Sequence, residues 1–166
     1  MELTYFQFDR NYNFVDLYFD NGTSLRVKFN ALTGKIYKRP KIHSVLRHLI
    51  DHKGIYIGTS SNGTHILVHN HISPGRAVLV TWDEFAENEK VSLDNKVCSN
   101  NPIQMVSIAL QKVIDREPYD AINYSCQTLT NMTCNNQRKN DDTERVIGGV
   151  LVSVALVAII GGLFGD

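Results

Sequence analysis

A chain of 166 residues, 43% hydrophobic, is long enough for one compact domain with a core of its own. Its 17 basic and 17 acidic side chains balance. That excludes a global electrostatic pull toward nucleic acid, and no RNA- or DNA-binding motif is present.

The N-terminal MELTYFQFDR lacks the basic start and apolar core of a signal peptide, so none is expected. Residues 14–29, FVDLYFDNGTSLRVKF, read as a β-hairpin turning at Asn21-Gly22, a dipeptide suited to a tight turn with positive φ. Residues 30–40 read as a turn-rich basic connector, and 42–52 fit either a short helix or a strand. Between positions 26 and 53 eight basic residues, Arg39 among them, face only Asp51. The stretch is either a solvated face or, on a tethered chain, a contact for anionic headgroups. Three strands are expected at 54–59, 65–70 and 77–82, rich in β-branched residues and punctuated by Asn62-Gly63 and Pro74-Gly75.

Thr81 and Glu84 have capping-box spacing for a short helix over 81–88, and 91–97 reads as a strand. Asn101-Pro102 opens a longer helix, with Ile103, Val106, Leu110 and Val113 as its apolar stripe. A further helix is expected from Cys126 to Cys134, followed by a polar stretch. The uncharged run from Val146 to Phe164 spans ~28 Å as a helix, close to a bilayer's hydrocarbon core. It predicts a C-terminal transmembrane anchor over 146–165. Gly161 and Gly165 have the spacing that lets such helices self-associate. Arg138, Lys139 and Arg145 before the run predict that the N-terminal part stays in the cytoplasm. Cys98, Cys126 and Cys134 are odd in number and lack C-x-x-C spacing, so no disulfide framework is expected. Two of the four N-x-S/T sequons, at Asn21 and Asn62, read as turns rather than glycan sites; the others are at Asn123 and Asn131.

Chemistry concentrates on His52, His69 and Cys126. A helix N-terminus and an imidazole both favour a thiolate, and the imidazole relays protons when a third polar group orients it. Whether the histidines meet depends on register. A two-residue turn at Asn62-Gly63 sets Tyr56 opposite His69 and leaves His52 ~13 Å along the strand. A four-residue loop, Ser60 to Gly63, sets Gly54 opposite His69, with His52 a diagonal neighbour ~7–8 Å away. Zinc ligation by His48, His52, His69 and His71 lacks a coherent fourth ligand, so no metal and no cofactor is expected. No G-x-S-x-G supports a serine hydrolase.

His52 in HKGIYIG, His69 in ILVHN and Cys126 in YDAINYSCQTL, in that order, resemble the H-box and NC-box of lecithin retinol acyltransferase-like proteins. These are NlpC-type, circularly permuted papain-like cysteine enzymes. The resemblance covers roughly residues 41–134. It implies an α+β fold: a permuted papain-like core, an antiparallel sheet packed on helices, here with an N-terminal β-hairpin extension and the C-terminal transmembrane helix. The corresponding division is 1–40 extension, 41–137 catalytic domain, 138–145 linker and 146–165 anchor. It further implies a thioester mechanism, with Cys126 as nucleophile, His52 as base and then acid, and His69 orienting His52. Ser125 and Gln127 depart from the Asn and the acidic residue that usually flank the family's cysteine. The expected function is a membrane-anchored cysteine acyltransferase or phospholipase A-type hydrolase acting on lipid acyl esters. Its expected partners are the lipid donor and the membrane. The alternatives are an NlpC-type amidase or peptidase and a non-catalytic, tail-anchored interaction module.

Overall fold

The computed structural model describes residues 1–40, 51–71, 75–118 and 125–137. Its first three strands, β1 (Leu3–Phe8), β2 (Phe14–Phe19) and β3 (Ser24–Lys28), form an antiparallel meander. The β2–β3 turn is the expected one: Gly22 takes φ +79°, and the Asn21 side chain accepts from Thr23 N at 3.1 Å. The supposed connector 30–40 contains a strand instead, β4 (Ile36–Pro40).

The ten-residue β5 (Asp51–Ser60) organises the sheet. Along one edge it pairs first with β4, Arg39 opposite His52, and then with β3, Lys28 opposite Thr59. Along its other edge runs β6 (His65–His71), which pairs in turn with β7 (Arg76–Thr81). The short β8 (Ser92–Leu93) pairs with β4 and is all that forms of the strand expected over 91–97. All these pairings are antiparallel and belong to one eight-stranded sheet.

Three helices follow the capping signals. α1 (Trp82–Ala86) carries the Thr81/Glu84 box, and α2 (Pro102–Asp115) has Asn101 and Gln104 capping each other. α3 (Cys126–Asn135) is capped by Ser125, whose hydroxyl accepts from Thr128 N. The stripe of α2 packs Val106, Ala109, Leu110 and Val113 against Ile55, Ile66 and Val68, with Leu129 of α3 and Leu3, Val15, Leu17 and Val27 in the same cluster. A second cluster, Tyr37, Tyr56, Leu67 and Phe85, joins the sheet to α1. Residues 1–40, expected as an N-terminal β-hairpin extension, supply four strands to the sheet and four side chains to the main core.

Three expectations are corrected. Among the described residues, the α+β class with a C-terminal transmembrane helix gives way to a mostly antiparallel sheet with three short helices. The membrane anchor and the cytoplasmic orientation argued from it are not supported. Among the described residues no helix is long and apolar enough to cross a membrane. The longest, α2, has 14 residues and reaches only ~21 Å; residues 146–165 lie outside the described residues. Third, Cys98 and Cys134 form a disulfide, leaving Cys126 outside any disulfide. Ser99 N and Asn100 N both donate to Cys134 O, at 3.1 and 3.0 Å, which draws Cys98 onto the last turn of α3. The 36-residue separation hides this pairing from any spacing rule. A loop of that length is worth roughly 3–4 kcal/mol by chain entropy.

Candidate functional site

β5 and β6 carry the two histidines. Gly54 stands opposite His69, the register of the looser of the two loops considered above. The loop itself is displaced by one residue, however: Thr59 pairs with His65, and a bulge between Tyr56 and Gly58 restores the register. Glycine is needed at 58: a Cβ there would lie 2.3 Å from the Lys28 carbonyl oxygen, where β3 joins β5. Alternation then turns His52, Gly54 and Tyr56 toward the face of Leu67 and His69. A Cβ on Gly54 would press to 3.0 Å on the Phe85 ring, so the missing side chain lets α1 close over the histidines.

In that space His52 Nε2 lies 2.6 Å from His69 Nδ1, and the two rings meet edge to face. His52 stacks on Phe85 with centroids 5.8 Å apart. Both histidines are buried, at 5% and 3% exposure. Burial first, then the charges of His71 and Arg39, holds the His69 imidazole down to about 3, so it is neutral at physiological pH. Its Nδ1 can therefore accept from His52 Nε2–H, which fixes the His52 ring and leaves its Nδ1 edge for proton exchange.

Cys126 is the first residue of α3 and is 3% exposed. Its Sγ lies 3.9 Å from the carbonyl oxygen of Asp51, the residue before His52. Gln127 Nε2 donates to the same carbonyl at 2.5 Å, tying the start of α3 to the start of β5. Thus the histidines are brought into direct contact, and the thiol reaches the backbone beside His52. Ser125 caps α3 through its hydroxyl, a role that an asparagine performs equally well.

Arg39 was not singled out in the sequence. It is 3% exposed and opposite His52; its guanidinium donates to the carbonyls of Phe85 and Pro40 and pairs with Glu87 at 2.7 Å. Burial lowers its pKa, opposed by the negative charge of Glu87 and by the charge that a Cys126 thiolate would carry. A signal for it existed in IYKRP, where β-alternation puts Arg39 on the side of Tyr37. The surrounding run of basic residues masked that signal. His71, weighed above as a metal ligand, lies with its ring 5.6 Å from that of His52 and 3.8 Å from the Glu87 carboxylate.

Among the described residues, no group of three or more His, Cys, Asp or Glu side chains is placed to hold a metal ion; His48 lies outside them. No family model matches the chain, nor does any curated protein or solved structure.

Proposed function

We propose that the protein is a thiol-dependent acyl enzyme, a hydrolase or transferase of acyl esters, with Cys126 as nucleophile. The observation that carries this reading is the buried His52–His69 pair, bonded at 2.6 Å next to the strand end where Cys126 Sγ meets Asp51 O. His52 takes the thiol proton as the sulfur attacks the acyl carbonyl. The S–C bond forms, the ester C–O bond breaks, and the leaving alkoxide takes the proton from His52. Water or a second alcohol then gives a proton to His52 and attacks the thioester, which releases the acyl group and returns the proton to sulfur. His69, neutral, holds the His52 ring and accepts the hydrogen bond of the imidazolium. Arg39 and the N-terminal amides of α3 supply positive potential beside the thiolate. The resemblance to lecithin retinol acyltransferase-like proteins points to lipid esters as the acyl source.

Intact-mass spectrometry after exposure to a short-chain phospholipid or a p-nitrophenyl ester tests this. The expected result is one acyl adduct, absent in Cys126→Ala, and a 10²–10⁴-fold slower acyl release in His52→Ala. Cys98 and Cys134, joined to each other, offer no competing thiol. Equal acyl release by wild type and Cys126→Ala would refute the proposal.

The burial of Cys126, His52 and His69 favours a second reading, an interaction module in which the trio is structural. A Cys126 thiol that reacts with iodoacetamide no faster in the native than in the unfolded protein would select it.

A further inference from the structure

A cavity of about 380 Å³ lies apart from the histidines and the thiol, between β7, the ends of β1–β3 and the last turn of α2. Leu3, Phe19, Leu25, Ile66, Leu79 and Val113 give it an apolar wall. Two guanidiniums, Arg76 from β7 and Arg116 after α2, stand among its lining residues and converge on one carboxylate, that of Glu2. Arg116 Nη2 lies 2.6 Å from Glu2 Oε2, and Arg76 Nη2 donates to Oε1. The other acid in the lining, Glu84, accepts instead from Thr81 N and Oγ1 at 2.7 and 2.9 Å, as part of the α1 cap. Asp20, outside the cavity, accepts from Glu2 N at 2.9 Å and holds the first residues in place.

A half-open apolar cleft within the range of small-molecule pockets, lined on one side by two cations clasping one carboxylate, has the chemistry of a site for an amphiphilic acid. Glu2 occupies the position of the ligand's head, one carboxylate against two guanidiniums. We propose that this cavity binds a single-chain fatty acid, whose carboxylate replaces Glu2 between Arg76 and Arg116 while its chain lies along Leu3, Leu25, Leu79 and Val113. The Glu2 carboxylate acts as an internal competitor that the ligand's carboxylate displaces, while Leu3 stays in β1 as part of the wall. A carboxylate fits the locus because a carboxylate fills it in the folded protein. This inference does not rest on the thioester chemistry, since none of His52, His69 or Cys126 lines the cavity.

Calorimetric titration of the full chain with dodecanoate, below its micellar concentration, tests the proposal; all arms use a Cys126→Ala background so that no acyl transfer contributes heat. Glu2→Gln removes the competing charge-assisted hydrogen bonds and is expected to tighten dodecanoate on the order of tenfold. Arg76→Gln with Arg116→Gln is expected to abolish that gain. Dodecanol, with the same chain and no charge, is expected to respond to neither change. Leu79→Trp, which fills the chamber without touching the arginines, is expected to weaken dodecanoate. No binding in the Glu2→Gln protein, or equal responses for the acid and the alcohol, would overturn the assignment.

Discussion

His69 is held neutral by burial, by the charge of His71 and by that of Arg39, and this has a consequence for stability. Its folded pKa of about 3 lies below the ordinary value of 6.5. Above pH 6.5 neither the folded nor the unfolded chain is protonated at this position, and the imidazole imposes no penalty. As pH falls through 6.5 the unfolded chain takes up a proton that the folded chain refuses until about pH 3, so stability is lost across that window. Each unit corresponds to about 1.4 kcal/mol, an upper bound for a group this buried. Urea midpoints measured from pH 7 to pH 4 should therefore fall more steeply for wild type than for His69→Gln. Parallel profiles would mean that His69 is not the group being titrated. The same residues show what a sequence hides. His52 and His69 were legible because the strand pattern gave their parity. Arg39 was not, since burial of a guanidinium depends on distant acceptors: the Phe85 carbonyl and the Glu87 carboxylate come from α1 and its C-terminal cap, 46 and 48 positions along the chain.

The β5–β6 hairpin decides, at the scale of the element, whether the histidines meet. Its turn was legible from Asn62-Gly63, and Gly63 indeed takes φ +86°. The bulge was not, because it answers to β3. Lys28 and Val27 crowd Gly58 from the neighbouring strand, and no residue near the turn records that contact. Gly58→Ala should be costly, since its Cβ would meet backbone at 2.3 Å and the Val27 side chain at 2.9 Å. A loss of roughly 1–3 kcal/mol is expected, together with loss of any acyl-transfer activity as His52 shifts against His69. Gly22→Ala is the control: nothing lies within 4 Å, and only the positive φ of +79° opposes it, at about 1 kcal/mol with activity retained. Urea midpoints and ester turnover on the two variants check the contrast. Similar losses for both would show that the bulge does not set the register.

For the whole molecule, the sequence suggested a boundary at residue 40, because the family resemblance begins just after it. The packing runs across that boundary: Val15, Leu17 and Val27 are fully buried against Ile55, Val106 and Leu129, and β3 joins β5 through Val27–Ser60 and Lys28–Thr59. Alternation revealed the strands on each side of the boundary, but which strands share an edge is a long-range choice that alternation does not encode. If the core is continuous, a cavity made in the N-terminal meander must destabilise the distant site to the same extent. Leu17→Ala, at 0% exposure in β2, should cost ~2–5 kcal/mol. Two probes on the site side report on this. Trp82, the single tryptophan, packs 5.0 Å from Tyr37, and Cys126 gives a thiol titre on exposure. Both should shift to lower urea by the same amount and keep coincident midpoints, because the meander and the site unfold as one cooperative unit. Two separated transitions, with Trp82 and Cys126 unmoved while far-ultraviolet dichroism reports early loss of strand signal, would restore the boundary at residue 40 and make the meander a module of its own.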